Sequence, residues 1–147
     1  NSFLSQCSTR RNSIVMSLNE DDRKTVVKLQ MNKARLFLEQ ADQMCKQQYW
    51  DIASNRYYYA CFHAIQALFI QNGISCHTHD GLITLFGLHF VKTGKVESNL
   101  GAFLSRIEQL RKKGDYNCLF SVSKDEILSM VNPAKELIQK VEDLLNE

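Results

Sequence analysis

Hydrophobic residues recur along most of this chain with the three- and four-residue spacing of amphipathic helices. The clearest stripe begins after Glu20 and runs through Val27, Met31, Ala34, Leu38, Ala41 and Cys45. The same period predicts five helices, over about 20–48, 51–72, 80–92, 98–113 and 124–145. No segment alternates over the length of a strand. The sequence therefore predicts an all-α fold, a single up-and-down antiparallel bundle of about five helices.

Capping and helix-breaking residues set the predicted boundaries. The segments 17–20 and 123–126 both have the Ser-x-x-Glu form of a capping box, which opens a helix. Three glycines are placed to end the second, third and fourth helices: Gly73, Gly94 and Gly114. Pro133 falls inside the fifth helix and is expected to kink it or split it.

The first 18 residues differ from the rest of the chain. They are rich in Ser, Asn, Gln and Arg, show no period, and lack the apolar stretch of a signal peptide. Met16 immediately precedes the first predicted cap. We interpret residues 1–18 as a disordered or non-native extension and residues 19–147 as the helical domain. An arm that docks on a partner is the alternative.

Charge and cysteine content narrow the class of protein. With 18 basic and 16 acidic residues, the net charge is +2, which favours no particular charged partner. The five cysteines are an odd number and no secretion signal is present, so reduced thiols and a cytoplasmic location are expected. No apolar run approaches the roughly 20 residues of a membrane helix.

The second predicted helix carries an unusual polar stripe of Arg56, Tyr59, His63 and Gln66 on an otherwise apolar surface. Buried groups of this kind need hydrogen-bond partners, since an unpaired one costs roughly 1–3 kcal/mol. The fourth helix offers such partners, and an ion pair between Arg56 and Asp115 is predicted. The network either fixes helix packing or forms a ligand or partner site, and the residues alone leave both open.

Three segments resemble signatures of the HEPN (higher eukaryotes and prokaryotes nucleotide-binding) domain family. Residues 54–64 read Ser-Asn-Arg-Tyr-Tyr-Tyr-Ala-Cys-Phe-His-Ala and resemble its hallmark helix. Residues 79–86 resemble its His-Ser-Gly segment, and residues 110–116 resemble its Arg-x-x-x-Asp-Tyr signature. The resemblance covers about residues 23–145. It implies a helical bundle that commonly forms a homodimer and often pairs with a minimal nucleotidyltransferase in two-gene toxin–antitoxin systems.

The resemblance also implies a possible activity, since some HEPN proteins are metal-independent ribonucleases. Those members share a motif on a later helix, in which an Arg is followed after four to six residues by a His. Here Arg111 has no His after it, whereas Arg56 and His63 meet the spacing on the second helix. We therefore expect a module that binds a nucleotide or a partner and does not cleave RNA by itself. The alternative is a dimeric ribonuclease that uses Arg56 and His63.

The expected binding residues are Arg56, Tyr59, His63, Arg111, Asp115 and Tyr116. The run 76–80, Cys-His-Thr-His-Asp, holds four side chains that can bind metals, but a zinc site normally needs a second, distant ligand pair. We expect neither a metal nor a cofactor, and we interpret His79 as a residue of the loop or of the start of the third helix.

Overall fold

Five α-helices account for most of residues 18–147, the part of the chain that the computed structural model describes. They are α1 Glu20–Lys46, α2 Trp50–Gln71, α3 His79–Phe86, α4 Ser98–Tyr116 and α5 Lys124–Leu145, with a π-helical turn, Gly87–Val91, directly after α3. No strand occurs between residues 18 and 147. The predicted all-α helical bundle is confirmed. Within the same residues, no helix is both long and apolar enough to cross a membrane.

Helix α2 is the centre of the fold, as its apolar surface predicts. It packs against α1, α5 and α4 and carries twelve buried residues. Tyr57, Tyr58 and Phe69 are each at most 1% exposed, whereas Phe62 is half-buried. The aromatic side chains of α2 would favour a dimer if they exceeded what one small domain can bury. Three of the four are buried within the single chain, so that argument fails and the dimer stays a prediction.

The helix ends follow local capping chemistry. Helix α1 begins after Asn19, whose side-chain oxygen accepts the Asp22 N–H at 2.8 Å. The predicted Ser17 cap is therefore wrong for α1, because Asn19 supplies the oxygen, and residues 1–17 lie outside those described. The capping box of Ser123 and Glu126 is confirmed. Gly73 and Gly94 have φ of +68° and +82°, the left-handed conformation that glycine adopts without strain.

The predicted helix end at Gly114 and the split that was one of two outcomes expected at Pro133 do not occur. Helix α4 continues through Gly114 to Tyr116, and Lys113 C=O accepts the Asn117 N–H at 2.9 Å. Helix α5 is continuous across Pro133. Proline removes one N–H from the helix, but apolar residues on both sides of it lie in the core, including Met130 and Ala134. Tertiary packing therefore outweighs the local preference in α5.

Candidate functional site

The polar stripe of α2 meets α1 at an aromatic ring. The Arg56 guanidinium carbon lies 4.8 Å from the centre of the Phe37 ring, and the Lys33 ammonium lies 5.7 Å from it. His63 packs edge-on against the same ring at 5.2 Å, and its Nδ1 donates to the Gln30 side-chain oxygen at 2.8 Å. We call Gln30, Lys33, Phe37, Arg56 and His63 the Phe37 patch. It places two cations and an imidazole around one aromatic side chain.

The charges of the Phe37 patch are not neutralised. Neither Lys33 nor Arg56 forms an ion pair with a carboxylate of residues 18–147. Burial and the nearby Lys33 lower the pKa of His63 to about 4, so its imidazole is neutral at physiological pH. The patch therefore carries two uncompensated positive charges beside a neutral hydrogen-bonding group.

A second polar group, which we call the Arg111 cluster, lies where α2, α3 and α4 meet. It consists of Tyr58, His79, Glu108, Arg111 and Asp115. Arg111 donates to both carboxylate oxygens of Glu108, at 3.0 and 2.9 Å, and to Asp115 at 2.6 Å. Its guanidinium lies 5.3 Å from the centre of the Tyr58 ring. The Tyr58 hydroxyl lies 2.5 Å from His79 Nδ1.

The electrostatics of the Arg111 cluster differ from those of the Phe37 patch. Glu108 is 3% exposed; burial alone would raise the pKa of its carboxyl, but hydrogen bonds from Arg111 and Tyr58 hold it below its usual value. Burial followed by the charge of Arg111 lowers the pKa of His79. Arg111 is thus compensated by two carboxylates, whereas Arg56 pairs with none in the part of the chain that the structure describes.

A row of side-chain rings connects the two groups. The centres of His63 and Phe62 are 5.5 Å apart, and those of Phe62 and His79 are 4.9 Å apart. Tyr59 meets Phe62 and His79 edge-on, at 6.0 and 6.3 Å. Tyr59, Phe62, His63 and His79 are all half-buried. Because each ring keeps some exposure, the row forms a continuous aromatic surface from the Phe37 patch to the Arg111 cluster.

The predicted ion pair between Arg56 and Asp115 is wrong. Arg56 leans towards α1 and stacks on Phe37, while Asp115 pairs with Arg111 one turn away in its own helix. The six expected binding residues consequently divide among four places. Arg56 and His63 lie in the Phe37 patch, Tyr59 lies on the ring row, and Arg111 and Asp115 lie in the cluster. Tyr116 is 84% exposed at the end of α4.

Sequence reasoning missed the contributions of α1 and α3. Gln30, Lys33 and Phe37 lie on one face of α1 at three- and four-residue spacing, which is a usable signal. Two antiparallel neighbouring helices bring that face against the Arg56 stripe. His79 is the first residue of α3, in agreement with the expected loop or helix-start position. Its contact with Tyr58 was not predicted, because it depends on how α3 turns back over α2. No local pattern encodes that turn.

Comparison with known proteins gives the class of this chain. The model of the HEPN domain family matches residues 27–144, and the chain belongs to the HEPN family. It is 31% identical to a UPF0332 protein of Thermotoga maritima, over 86% of this chain and 96% of that protein. Two proteins of Methanocaldococcus jannaschii named as candidate toxins are also similar. One is 24% identical over 78% of each chain, and the other is 32% identical over 63% of this chain and 68% of its own.

Proposed function

We propose that this protein is a cytoplasmic HEPN binding module of a toxin–antitoxin type system, which binds a nucleotide through the Phe37 patch and pairs with a minimal nucleotidyltransferase. The observation that supports it most is the uncompensated charge of Arg56 and Lys33. Two cations that lie over one ring and pair with no carboxylate of residues 18–147 are stabilised by an incoming anion. The half-buried rings beside them favour an anion that also carries an aromatic group.

Each residue of the patch has a part in this proposal. The Arg56 guanidinium is permanently charged, and its planar donors match two oxygens of one phosphate. Stacking on Phe37 fixes the plane of the guanidinium before a ligand arrives, which reduces the entropy lost on binding. Lys33 adds a second charge, and His63, neutral and held by Gln30, presents Nε2 as an acceptor. Tyr59 on the adjoining ring row offers an edge for a base.

The family and the relatives support the biological setting. Membership of the HEPN family implies frequent pairing with a minimal nucleotidyltransferase, and two relatives are named as candidate toxins. A protein whose partner transfers nucleotides has reason to present a nucleotide-compatible surface. We therefore propose that the Phe37 patch faces the nucleotide of such a partner.

Calorimetric titration with ATP tests the binding half of the proposal. We expect wild-type protein to bind and Arg56→Gln to weaken binding at least tenfold at unchanged thermal stability. Arg106→Gln is the matched control, because Arg106 also lies over a phenylalanine ring, Phe103, at 5.8 Å on another surface. Equal affinity of the Arg56→Gln and Arg106→Gln proteins, or a wild type that does not bind ATP, would contradict the proposal.

Co-expression tests the proposed pairing with a nucleotidyltransferase. A small nucleotidyltransferase encoded beside this protein is expected to co-elute with it in gel filtration. Arg56→Gln should weaken that complex more than Arg106→Gln does. Separate elution of the two wild-type proteins at micromolar concentration would remove the partner from the proposal and leave nucleotide binding to be judged by the titration.

A further inference from the structure

We propose that a cavity between α1 and α5 binds a small organic anion, namely a carboxylate or a phosphate monoester on a short apolar chain. The cavity has a volume of about 290 Å³ and lies at the end of the bundle where α2 and α5 both terminate. The residues that line it belong neither to the Phe37 patch nor to the Arg111 cluster. The inference is therefore independent of the proposed function.

The walls of the cavity are fixed by contacts among three helices. Helices α1 and α5 both pack on α2 but make few contacts with each other, which leaves a gap between them. An ion pair between Arg35 of α1 and Glu142 of α5 bounds this gap on one side. On another side, Gln71 Nε2 at the end of α2 donates to the Leu145 C=O at 3.1 Å. The cavity is thus a built feature of the bundle and does not depend on a loop.

The floor of the cavity is apolar. It contains Val27 and Met31 of α1, which are 9% and 5% exposed, and the partly buried Leu145 of α5. Hydrocarbon placed on these side chains would be removed from water, which is favourable in proportion to the apolar area covered. The floor therefore favours a ligand with an apolar body.

The rim of the cavity is cationic. Lys24, Lys28 and Arg35 line it together with one carboxylate, that of Glu142, which already pairs with Arg35. Lys24 and Lys28 are four residues apart and so are neighbours on one face of α1, where like charges repel. Neither lysine forms an ion pair with a carboxylate of residues 18–147. An anion between the two ammonium groups would relieve their repulsion.

The floor and the rim together define the class of ligand. A volume of about 290 Å³ lies just below the roughly 300–1,000 Å³ of pockets that hold drug-sized molecules, so the ligand is smaller than those. The ammonium groups of Lys24 and Lys28 act as compact point charges, which attract a carboxylate and a phosphate alike. The shared chemistry is an anionic head on a short chain.

A purely structural role of the two lysines makes a different prediction. The last carbonyl groups of α5 carry partial negative charge, and cations beside a helix C-terminus stabilise the fold. If Lys24 and Lys28 serve only that end, their removal lowers stability and leaves no binding to lose. If they hold an anion, their removal weakens binding at unchanged stability.

The test follows the methionine methyl groups of the full chain by NMR while ligand is added. Met31 lies on the floor of the cavity, and Met130, buried where Ser54 contacts it, serves as the internal reference. Octanoate and octyl phosphate are the two anionic probes, and octanol and acetate each lack one half of the proposed ligand. We expect a saturable shift of the Met31 signal with either anionic probe, no shift of Met130, and no saturation with octanol or acetate. The tighter of the two anionic probes identifies the head group.

Two double variants complete the test. Lys24→Gln, Lys28→Gln should weaken binding of the tighter probe at least tenfold at unchanged Tm. The matched control is Lys92→Gln, Lys95→Gln, which removes two exposed lysines outside the cavity and should bind like wild type.

Four results would overturn the proposal: no saturable Met31 shift with either anionic probe, equal binding of octanol, equal weakening by the two double variants, or lower stability of Lys24→Gln, Lys28→Gln with binding unchanged. Should that variant fail to fold, the wild-type comparison of the anionic probes with octanol decides. Arg56→Gln should leave the Met31 titration unchanged, so failure here and failure of nucleotide binding at the Phe37 patch are separate outcomes.

Discussion

Arg56 and Arg111 each lie over one aromatic ring, Phe37 and Tyr58 respectively, yet their charges are surrounded differently. Arg111 forms ion pairs with Glu108 and Asp115, so its charge is neutralised within the protein. Arg56 lies over Phe37 and pairs with no carboxylate of residues 18–147. A surface with charge of one sign attracts ligands of the opposite sign. On this difference we base the proposal that Arg56 binds the ligand and that Arg111 supports the fold.

We predict that Arg111→Met destabilises the domain by about 3 kcal/mol, because it leaves the buried Glu108 carboxylate without its charge partner. Arg106→Met, on the exposed side of the same helix, should change stability by less than about 0.5 kcal/mol. Urea unfolding at pH 7 measures both. The double variant Glu108→Leu, Arg111→Met should recover part of the loss. Equal stability of the Arg111→Met and Arg106→Met proteins would contradict the assignment.

We predict that His63 makes stability depend on pH in a defined window. Its folded pKa is about 4, below the ordinary 6.5, so the unfolded chain binds the proton more readily than the folded one. The stability that His63 contributes is therefore complete above pH 6.5 and is lost as pH falls towards 4. The difference in unfolding free energy between wild type and His63→Gln should change across that window and be constant above it. An NMR titration midpoint of His63 near 6.5 would refute this.

The residue-level part of the site was only partly predictable. The 100° helical repeat correctly placed Arg56 and His63 on one face. It could not say which neighbouring helix that face would meet, because the rotation of α2 is set by burying Tyr57 and Tyr58. The stripe consequently met Phe37 of α1 and not Asp115 of α4.

At the scale of the elements, α4 offers a direct test of packing. A methyl group on Gly101 would lie 2.9 Å from a γ-carbon of Val91, whose branched side chain has little freedom to move. The same group on Gly114 would meet nothing within 4 Å. We predict that Gly114→Ala stabilises the domain by up to about 1 kcal/mol, through helix propensity, and that Gly101→Ala destabilises it. Thermal unfolding of both variants should give opposite shifts in Tm; shifts of the same sign would show that the contact between α4 and the π-helical turn is misplaced.

The hydrophobic period predicted the number and type of the secondary-structure elements correctly, but it predicted where the helices end less accurately. Five helices were predicted at close to their observed positions, because each has an apolar stripe long enough to average over local exceptions. Pro133 lies between buried residues, Met130 and Ala134, so packing keeps α5 from splitting there. Gly114 was wrongly expected to end α4, which extends two exposed residues beyond it to Tyr116.

At the scale of the whole molecule, we predict a homodimer that uses the outer face of α1. Leu29 and Leu36 are 62% and 49% exposed and lie seven residues apart, two turns along the same face. Sedimentation at micromolar concentration should give twice the chain mass of 17.0 kDa. The Leu29→Glu, Leu36→Glu double variant should shift the protein to monomer, and Leu128→Glu, at an equally exposed leucine of α5, should not. A wild-type protein that sediments as a monomer would contradict the predicted homodimer.

The most direct test of the account follows the arginine side chains while the ligand is added. Arg56 and Arg111 can be assigned in a nitrogen–proton NMR spectrum from the loss of one Nε–H signal in each single variant. On titration with ATP, the account predicts that the Arg56 Nε–H signal shifts in proportion to occupancy, because Arg56 pairs with no carboxylate among residues 18–147. The Arg111 Nε–H, held by Glu108 at 3.0 Å, should stay in place. A shift of Arg111 with an unchanged Arg56 would move the binding site to α4 and contradict the account.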